Sequence, residues 1–132
     1  MAIQAIIDLQ QLQRELSRFC SRIGMQGLPR FDGRQALVFN TAGGRLSFEL
    51  NRVKSALLIS YAVTPELAET ETLLKKALQL SCYKGGYVLS VMYVDPYLVM
   101  MSKLNSSDIS AEAIENVLMQ LIRVWEEIRH GS

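Results

Sequence analysis

The sequence predicts an α+β fold in one domain, residues 1–132, with an antiparallel sheet and helices in the order α-β-β-β-α-β-β-α. Near both ends of the chain, apolar residues recur every three or four positions, as they do in amphipathic helices. Between these stretches, short runs of alternating apolar and polar residues are joined by tight turns, which favours antiparallel pairing. With 132 residues, 49% of them hydrophobic, the chain can bury one core of its own.

The first helix is predicted over residues 2–24, and Gly24 is a suitable residue to end it. Three arginines spaced four apart, Arg14, Arg18 and Arg22, lie on a second face of this helix. Such a row is usually a solvated helix face, and an acidic partner is the alternative. The apolar residues form one broad stripe: Ile3, Ile6, Ile7, Leu9, Leu12, Leu16, Phe19, Cys20 and Ile23.

Three strands are predicted next, at Leu37–Phe39, at residues 45–51 and at Ala56–Val63. The first two are joined by a turn with two glycines, Gly43 and Gly44, which supply the backbone freedom that a hairpin needs. The second strand alternates cleanly between apolar and polar residues, which is typical of a half-buried strand. The third is apolar at nearly every position and is therefore expected to be central or covered on both faces.

The second half of the chain predicts a helix, two strands and a closing helix. The helix runs from the Thr64-Pro65 start to about Cys82, and Gly85-Gly86 follows it. The strands are Tyr87–Val94 and Tyr97–Leu104, joined at Asp95-Pro96. A helix begins after Ser110, and its apolar stripe places Trp125 against the sheet.

Residue types that carry catalysis or bind metals and cofactors do not form any recognisable set. The one histidine, His130, stands two residues from the end, and Cys20 and Cys82 are in no CxxC pair. The glycine pairs match neither a Walker A loop nor a dinucleotide-binding fingerprint, and the carboxylates are scattered. We therefore expect no enzymatic activity, no catalytic residues, no metal and no cofactor.

Charge and hydropathy exclude two further classes. The net charge is only +1, which argues against a nucleic-acid-binding protein. No apolar run approaches the roughly 20 residues of a membrane-spanning helix. The first residues lack the basic start and apolar stretch of a signal peptide, so the expected location is the cytoplasm.

The two predicted strands at 87–94 and 97–104 are apolar on both faces. A small antiparallel sheet with helices on one side needs only one apolar face. Two explanations remain open at this point. Either helices cover both faces of the sheet, or another chain covers the second face, as in a dimer or a peptide-binding surface.

The element order and length resemble the class I chaperones of bacterial type III secretion, and the resemblance covers nearly the whole chain. It is carried by the leucine-rich segment 73–80 leading to Gly85-Gly86, by the hairpin through Asp95-Pro96, and by the closing helix with Trp125. Members of that family are typically acidic, whereas this chain is near neutral. The resemblance implies a non-catalytic cytoplasmic homodimer that binds the N-terminal segment of a secreted effector and keeps it competent for secretion.

Candidate binding residues follow from the stripe of the first helix, which is wider than one sheet contact requires. Leu12, Leu16 and Phe19 are expected to pack inward. The candidates for effector binding on this helix are Ile3, Ile6 and Leu9, nearer its free end. Val38 and Leu58, on strand faces opposite the core, are expected to extend the same groove. The resemblance places the dimer interface on the second helix and its neighbouring strand, at Leu73, Leu74, Ala77, Leu78, Leu89 and Val91.

Two other functions stay open on the sequence alone. The first is a dimeric scaffold module of the roadblock or profilin-like kind, which also mixes helices and strands without a catalytic site. A scaffold of that kind binds folded partners, whereas a chaperone binds an extended segment, so the form of the ligand separates them. The second is a small-molecule-binding enzyme, which turnover dependent on Asp95 or Cys82 would support.

Overall fold

The structure, a computed structural model, describes residues 6–25, 31–41, 43–64, 83–84 and 87–130. Within them, two helices flank the strands: α1 is Leu9–Arg22 and α2 is Ala111–His130. Strands β1, β2 and β3 are Leu37–Asn40, Arg45–Leu50 and Ala56–Val63. The remaining strands are β4 (Tyr83–Lys84), β5 (Tyr87–Val88), β6 (Ser90–Val94) and β7 (Tyr97–Asn105).

Five strands form one open sheet in the order β1-β2-β3-β7-β6, and every neighbouring pair is antiparallel. Strand β3 lies at the centre, as its nearly continuous apolar sequence predicts. Strands β4 and β5 pair separately. The predicted α+β fold with an antiparallel sheet is confirmed.

One face of the sheet, here called the inner face, carries the core. Helix α2 packs across β3 and β7, and α1 packs beside α2. The ring of Phe19 on α1 meets Phe48 on β2 edge to face, with ring centroids 5.7 Å apart. The largest fully buried side chains are Leu12, Leu16, Phe19, Leu46, Phe48, Leu57, Ile59, Leu98, Met100, Ile114, Leu121 and Ile128.

Helix α1 begins at Leu9, so the prediction of a helix from residue 2 was wrong for residues 6–8, and residues 1–5 lie outside the described part. The Asp8 carboxylate accepts hydrogen bonds from the backbone N–H groups of Gln10 and Gln11, which caps the helix there. Buried Ile7 lies one position before the cap, where an apolar residue commonly packs against the first turn. Its N–H donates to the Lys54 carbonyl. At the other end, Gly24 takes a positive φ of 81°, as expected for a helix end.

The segment before the last strand differs from expectation in two details. The predicted strand Tyr87–Val94 is divided at Leu89 into β5 and β6, which pair with different strands. Tyr83 and Lys84 form a strand paired with Tyr87 and Val88, whereas the sequence places them just after a helix end. A two-residue strand is too short to show any periodicity. The predicted second helix, with Leu73, Leu74, Ala77 and Leu78, lies outside the described residues. Among the residues described, no helix has the length and apolar character needed to cross a membrane.

Candidate partner-binding surface

The start of α1 exposes apolar side chains while the rest of the helix buries them. Leu12, Leu16 and Phe19 are fully buried, which confirms that they pack inward. Ile6 is 73% exposed and Leu9 is 37% exposed, although water is an unfavourable environment for both. Ile3, the third candidate at this end, lies outside the described residues. Two of the predicted effector-binding residues are thus accessible on one small surface.

A cleft of about 290 Å³, here called the α1 cleft, opens beside Leu9. Its lining residues are Leu9, Gln10, Gln13, Phe31 and Asp32. The backbone N–H of Phe31 donates to the Gln13 side-chain oxygen at 2.8 Å, which ties the segment before β1 to α1. Sequence reasoning included Leu9 but missed the rest of this cleft, because its two sides are about 20 residues apart in the chain.

Val38 and Leu58 lie on the outer face of the sheet, opposite the core. Val38 is 46% exposed and Leu58 is half-buried. Helix α1 packs on the inner face, so the structure does not place these two residues on the same side as Ile6 and Leu9. A partner that contacts all four side chains has to pass around an edge of the sheet.

The same outer face is apolar along β6 and β7. Met92 pairs with Val99, and Val94 with Tyr97, with all four side chains directed away from the core. Met92 and Val94 are 41% and 55% exposed. The side chains that alternate with them along β6 point to the inner face, because successive side chains of a strand point to opposite faces of the sheet.

Leu89 and Val91, predicted to lie in a dimer interface, face the core of the protomer itself. Leu89 is buried, and Val91 is half-buried and packs against the core cluster. The accessible apolar side chains of this strand are therefore Met92 and Val94. The sequence shows that both faces of the strand are apolar, but it does not show which face the helices cover.

The arginine row of α1 is partly neutralised by α2. Arg18 donates to Glu112 at 2.9 Å and to Glu15 on its own helix at 2.8 Å. Arg22 donates to Glu115 at 2.6 Å, a hydrogen bond that raises the pKa of the Arg22 guanidinium. The pKa of Glu112 is lowered, first by a backbone hydrogen bond and then by the charges of Arg18 and Arg22. Two of the three arginines therefore form ion pairs with carboxylates of α2.

Exposed apolar side chains mark the candidate binding surfaces. The described residues include no group of three or more His, Cys, Asp or Glu side chains placed to hold a metal ion. The apolar side chains at the start of α1 and on the outer face are instead distributed over two separate surfaces. Such surfaces fit partners with apolar side chains.

Comparisons with known proteins agree on the fold. No protein-family model matches the chain, and no curated protein matches its sequence. A chain in the structure of the HopA1–SchA chaperone–effector complex aligns with 94% of this chain and 96% of its own length, with a TM-score of 0.64 and 17% identity. A chain in the structure of the Yersinia pestis type III secretion chaperone SycH with a stable fragment of YscM2 aligns over 92% and 99%, with a TM-score of 0.63 and 13% identity.

The fold also occurs outside these complexes. YbjN from E. coli, a proposed transcription regulator, aligns over 96% of this chain and 91% of its own, with a TM-score of 0.57 and 15% identity. The chain therefore has the fold of type III secretion chaperones. The choice of function depends on the surfaces that the fold presents.

Proposed function

We propose that this chain, which has the type III secretion chaperone fold, is a non-catalytic cytoplasmic homodimer that binds the N-terminal segment of a secreted effector. The observation that supports this most is the match over nearly the whole length of chaperones solved with bound partners. The exposed apolar side chains at the start of α1 and on the outer face supply contact surfaces of the kind that such binding requires.

The proposed mechanism is binding without chemical change. An effector segment held in extended form loses conformational entropy, so many contacts are needed to offset that loss. Ile3, Ile6 and Leu9 are proposed to contact one part of the segment, and Val38 and Leu58 contact another part on the outer face. Because Ile6 and Leu9 lie on the side of the sheet that α1 covers and Val38 and Leu58 lie on the other, the proposed segment wraps around the domain. A wrapped segment remains unfolded and is ready for export.

The homodimer is the second part of the proposal. The interface residues proposed on the second helix are Leu73, Leu74, Ala77 and Leu78. Leu89 and Val91, the other two interface residues expected from the sequence, belong to the protomer core. We propose that Met92 and Val94, which are exposed beside them, make the contacts with the second protomer.

The test begins with purification of the tagged protein from its own host and identification of the secreted protein that accompanies it. The first part of that protein, expressed alone, should bind two protomers of the chaperone and remain sensitive to proteases outside the bound stretch. The double variant Ile6→Ser and Leu9→Ser should lose at least ten-fold in affinity, because two exposed apolar contacts disappear. Met119→Ser, which removes an exposed methionine on α2, is the matched control and should bind normally.

Two outcomes would contradict the proposal. If the co-purified partner binds only as a folded domain, the scaffold function replaces the chaperone function. If the Ile6 and Leu9 double variant unfolds, these side chains belong to the core. Thermal melting of the unbound variant distinguishes the second case, since a surface variant keeps the wild-type melting temperature within a few degrees.

A further inference from the structure

The α1 cleft has a preformed apolar floor. Phe31 is only 4% exposed, and Leu9 forms the neighbouring wall. Gly33 lets the segment before β1 come this close, because a Cβ at that position would lie 2.9 Å from Leu50 Cδ1 and 3.2 Å from Leu9 Cδ2. Gly33 also has a φ of +79°, which other residues rarely adopt. The cleft therefore exists before any partner binds.

Two side-chain amides line the same cleft. The oxygen of Gln13 accepts the Phe31 N–H, so the NH₂ group of Gln13 stays available to donate to another carbonyl. Gln10 lies three positions earlier, and residues at that spacing are neighbours on a helix surface, with Cβ atoms about 5–6 Å apart. An extended peptide presents carbonyls on one side about every 7 Å. Two long amide side chains can therefore bind its main chain whatever its sequence.

The charged groups at the cleft are acidic. Of the described residues that line it, Asp32 alone is charged, and Asp8 stands one position before Leu9. Both carboxylates are held in place by backbone N–H groups, Asp32 by that of Arg34 at 2.9 Å. The arginines of α1 line a separate depression. A basic side chain thus finds a fixed carboxylate next to an apolar floor.

We propose that the α1 cleft binds an extended peptide segment in which an aliphatic side chain stands next to a lysine or arginine. The aliphatic group contacts Leu9 and Phe31, the main chain accepts from Gln10 and Gln13, and the basic group pairs with Asp32. This rests on the proposed function and adds to it the chemistry of the segment that the chaperone binds.

The test uses short blocked peptides in a Gly-Ser background, titrated to millimolar concentration into the full-length, isotope-labelled protein. One peptide has Leu-Lys at its centre, a second has Leu-Glu and a third has Ser-Lys. The Leu-Lys peptide should shift the amide NMR signals of Gln13, Phe31 and Asp32. It should bind about two- to five-fold more tightly than Leu-Glu, the factor expected for one exposed ion pair.

Two variants of similar side-chain size separate the contribution of the ion pair from that of the amide hydrogen bonds. Asp32→Asn keeps an acceptor for the Arg34 N–H and should remove the preference of Leu-Lys over Leu-Glu. Gln10→Met removes the amide donors of a cleft residue without adding a charge, and should weaken every peptide. Glu49→Gln, a neutralised carboxylate on the outer face of β2, is the control and should change nothing.

Equal binding of all three peptides, shifts that map to another surface, or wild-type behaviour of both cleft variants would overturn the inference. So would a small apolar molecule that binds the cleft while no peptide does. If an effector segment binds the protein and is unaffected by Gln10→Met and Asp32→Asn, the cleft assignment fails while the chaperone function stands. If the peptides bind the cleft as described but no effector segment binds, the chaperone function fails alone.

Discussion

Replacing Phe48 by alanine should loosen the attachment of α1 to the sheet. Phe48 is fully buried, and its ring meets Phe19 at 5.7 Å and Phe39 at 6.1 Å, both edge to face. Truncating a buried phenylalanine costs about 3–5 kcal/mol, of which each aromatic pair contributes about 0.5–1.5 kcal/mol. Because a domain is stable by only about 5–15 kcal/mol, this loss is a large fraction of the total.

The measurement is urea unfolding of wild type and Phe48→Ala, monitored by circular dichroism. Val38→Ala is the matched control, since it removes an apolar side chain from the adjacent strand at a position that is 46% exposed. We expect the control to lose less than about 1 kcal/mol. A loss below about 1.5 kcal/mol for Phe48→Ala, or a loss equal to that of the control, would refute the view that this aromatic cluster joins α1 to the sheet.

Three further predictions concern the closing helix, the dimer and acid stability. Trp125 packs against the core but is only partly buried, so Trp125→Ala should cost about 3 kcal/mol, and a wild-type emission maximum typical of a fully solvated indole would contradict its placement. If the proposed homodimer forms through β6, Met92→Asp should give monomers in sedimentation, because a charge would be left unpaired in an apolar interface, and an unchanged dimer would exclude β6 from the contact. The folded-state pKa of Glu112 is lowered from 4.5, so its stabilising contribution is present above that pH and is lost as the pH falls further. Between about pH 5 and pH 3 the melting temperature of wild type should therefore drop more than that of Glu112→Gln, and parallel curves would show that neither the backbone hydrogen bond of Glu112 nor its contacts with Arg18 and Arg22 contribute to stability.

The first three strands were predictable because their signals are local. In β2, Leu46 and Phe48 alternate with Ser47 and Glu49, and the structure buries the first pair and leaves the second accessible. The start of α1 was not predictable, although the residues that set it are also close together in the chain. The apolar spacing continues back through Ile7 and Ile6, so periodicity starts the helix too early. The Asp8 cap makes the helix begin at Leu9.

Which face of the sheet is covered depends on contacts between distant parts of the chain. Met92 and Leu89 are both apolar residues of one short segment, yet one is 41% exposed and the other is buried, because α2 packs across only one side of β3 and β7. No pattern within the segment distinguishes its two faces. No local pattern predicts the ion pairs between α1 and α2 either, because their partners are more than 90 residues apart in the chain.

The sequence by itself determined the α+β class, the limits of the early strands and the inward stripe of α1, because alternation and helical spacing report burial one element at a time. Only the tertiary structure decided where partners can bind. The α1 cleft exists because Gly33 allows the segment before β1 to approach Leu9, and because the Phe31 N–H reaches Gln13, 18 positions earlier in the chain. A surface formed by residues that meet only after folding has no periodicity that the sequence could show.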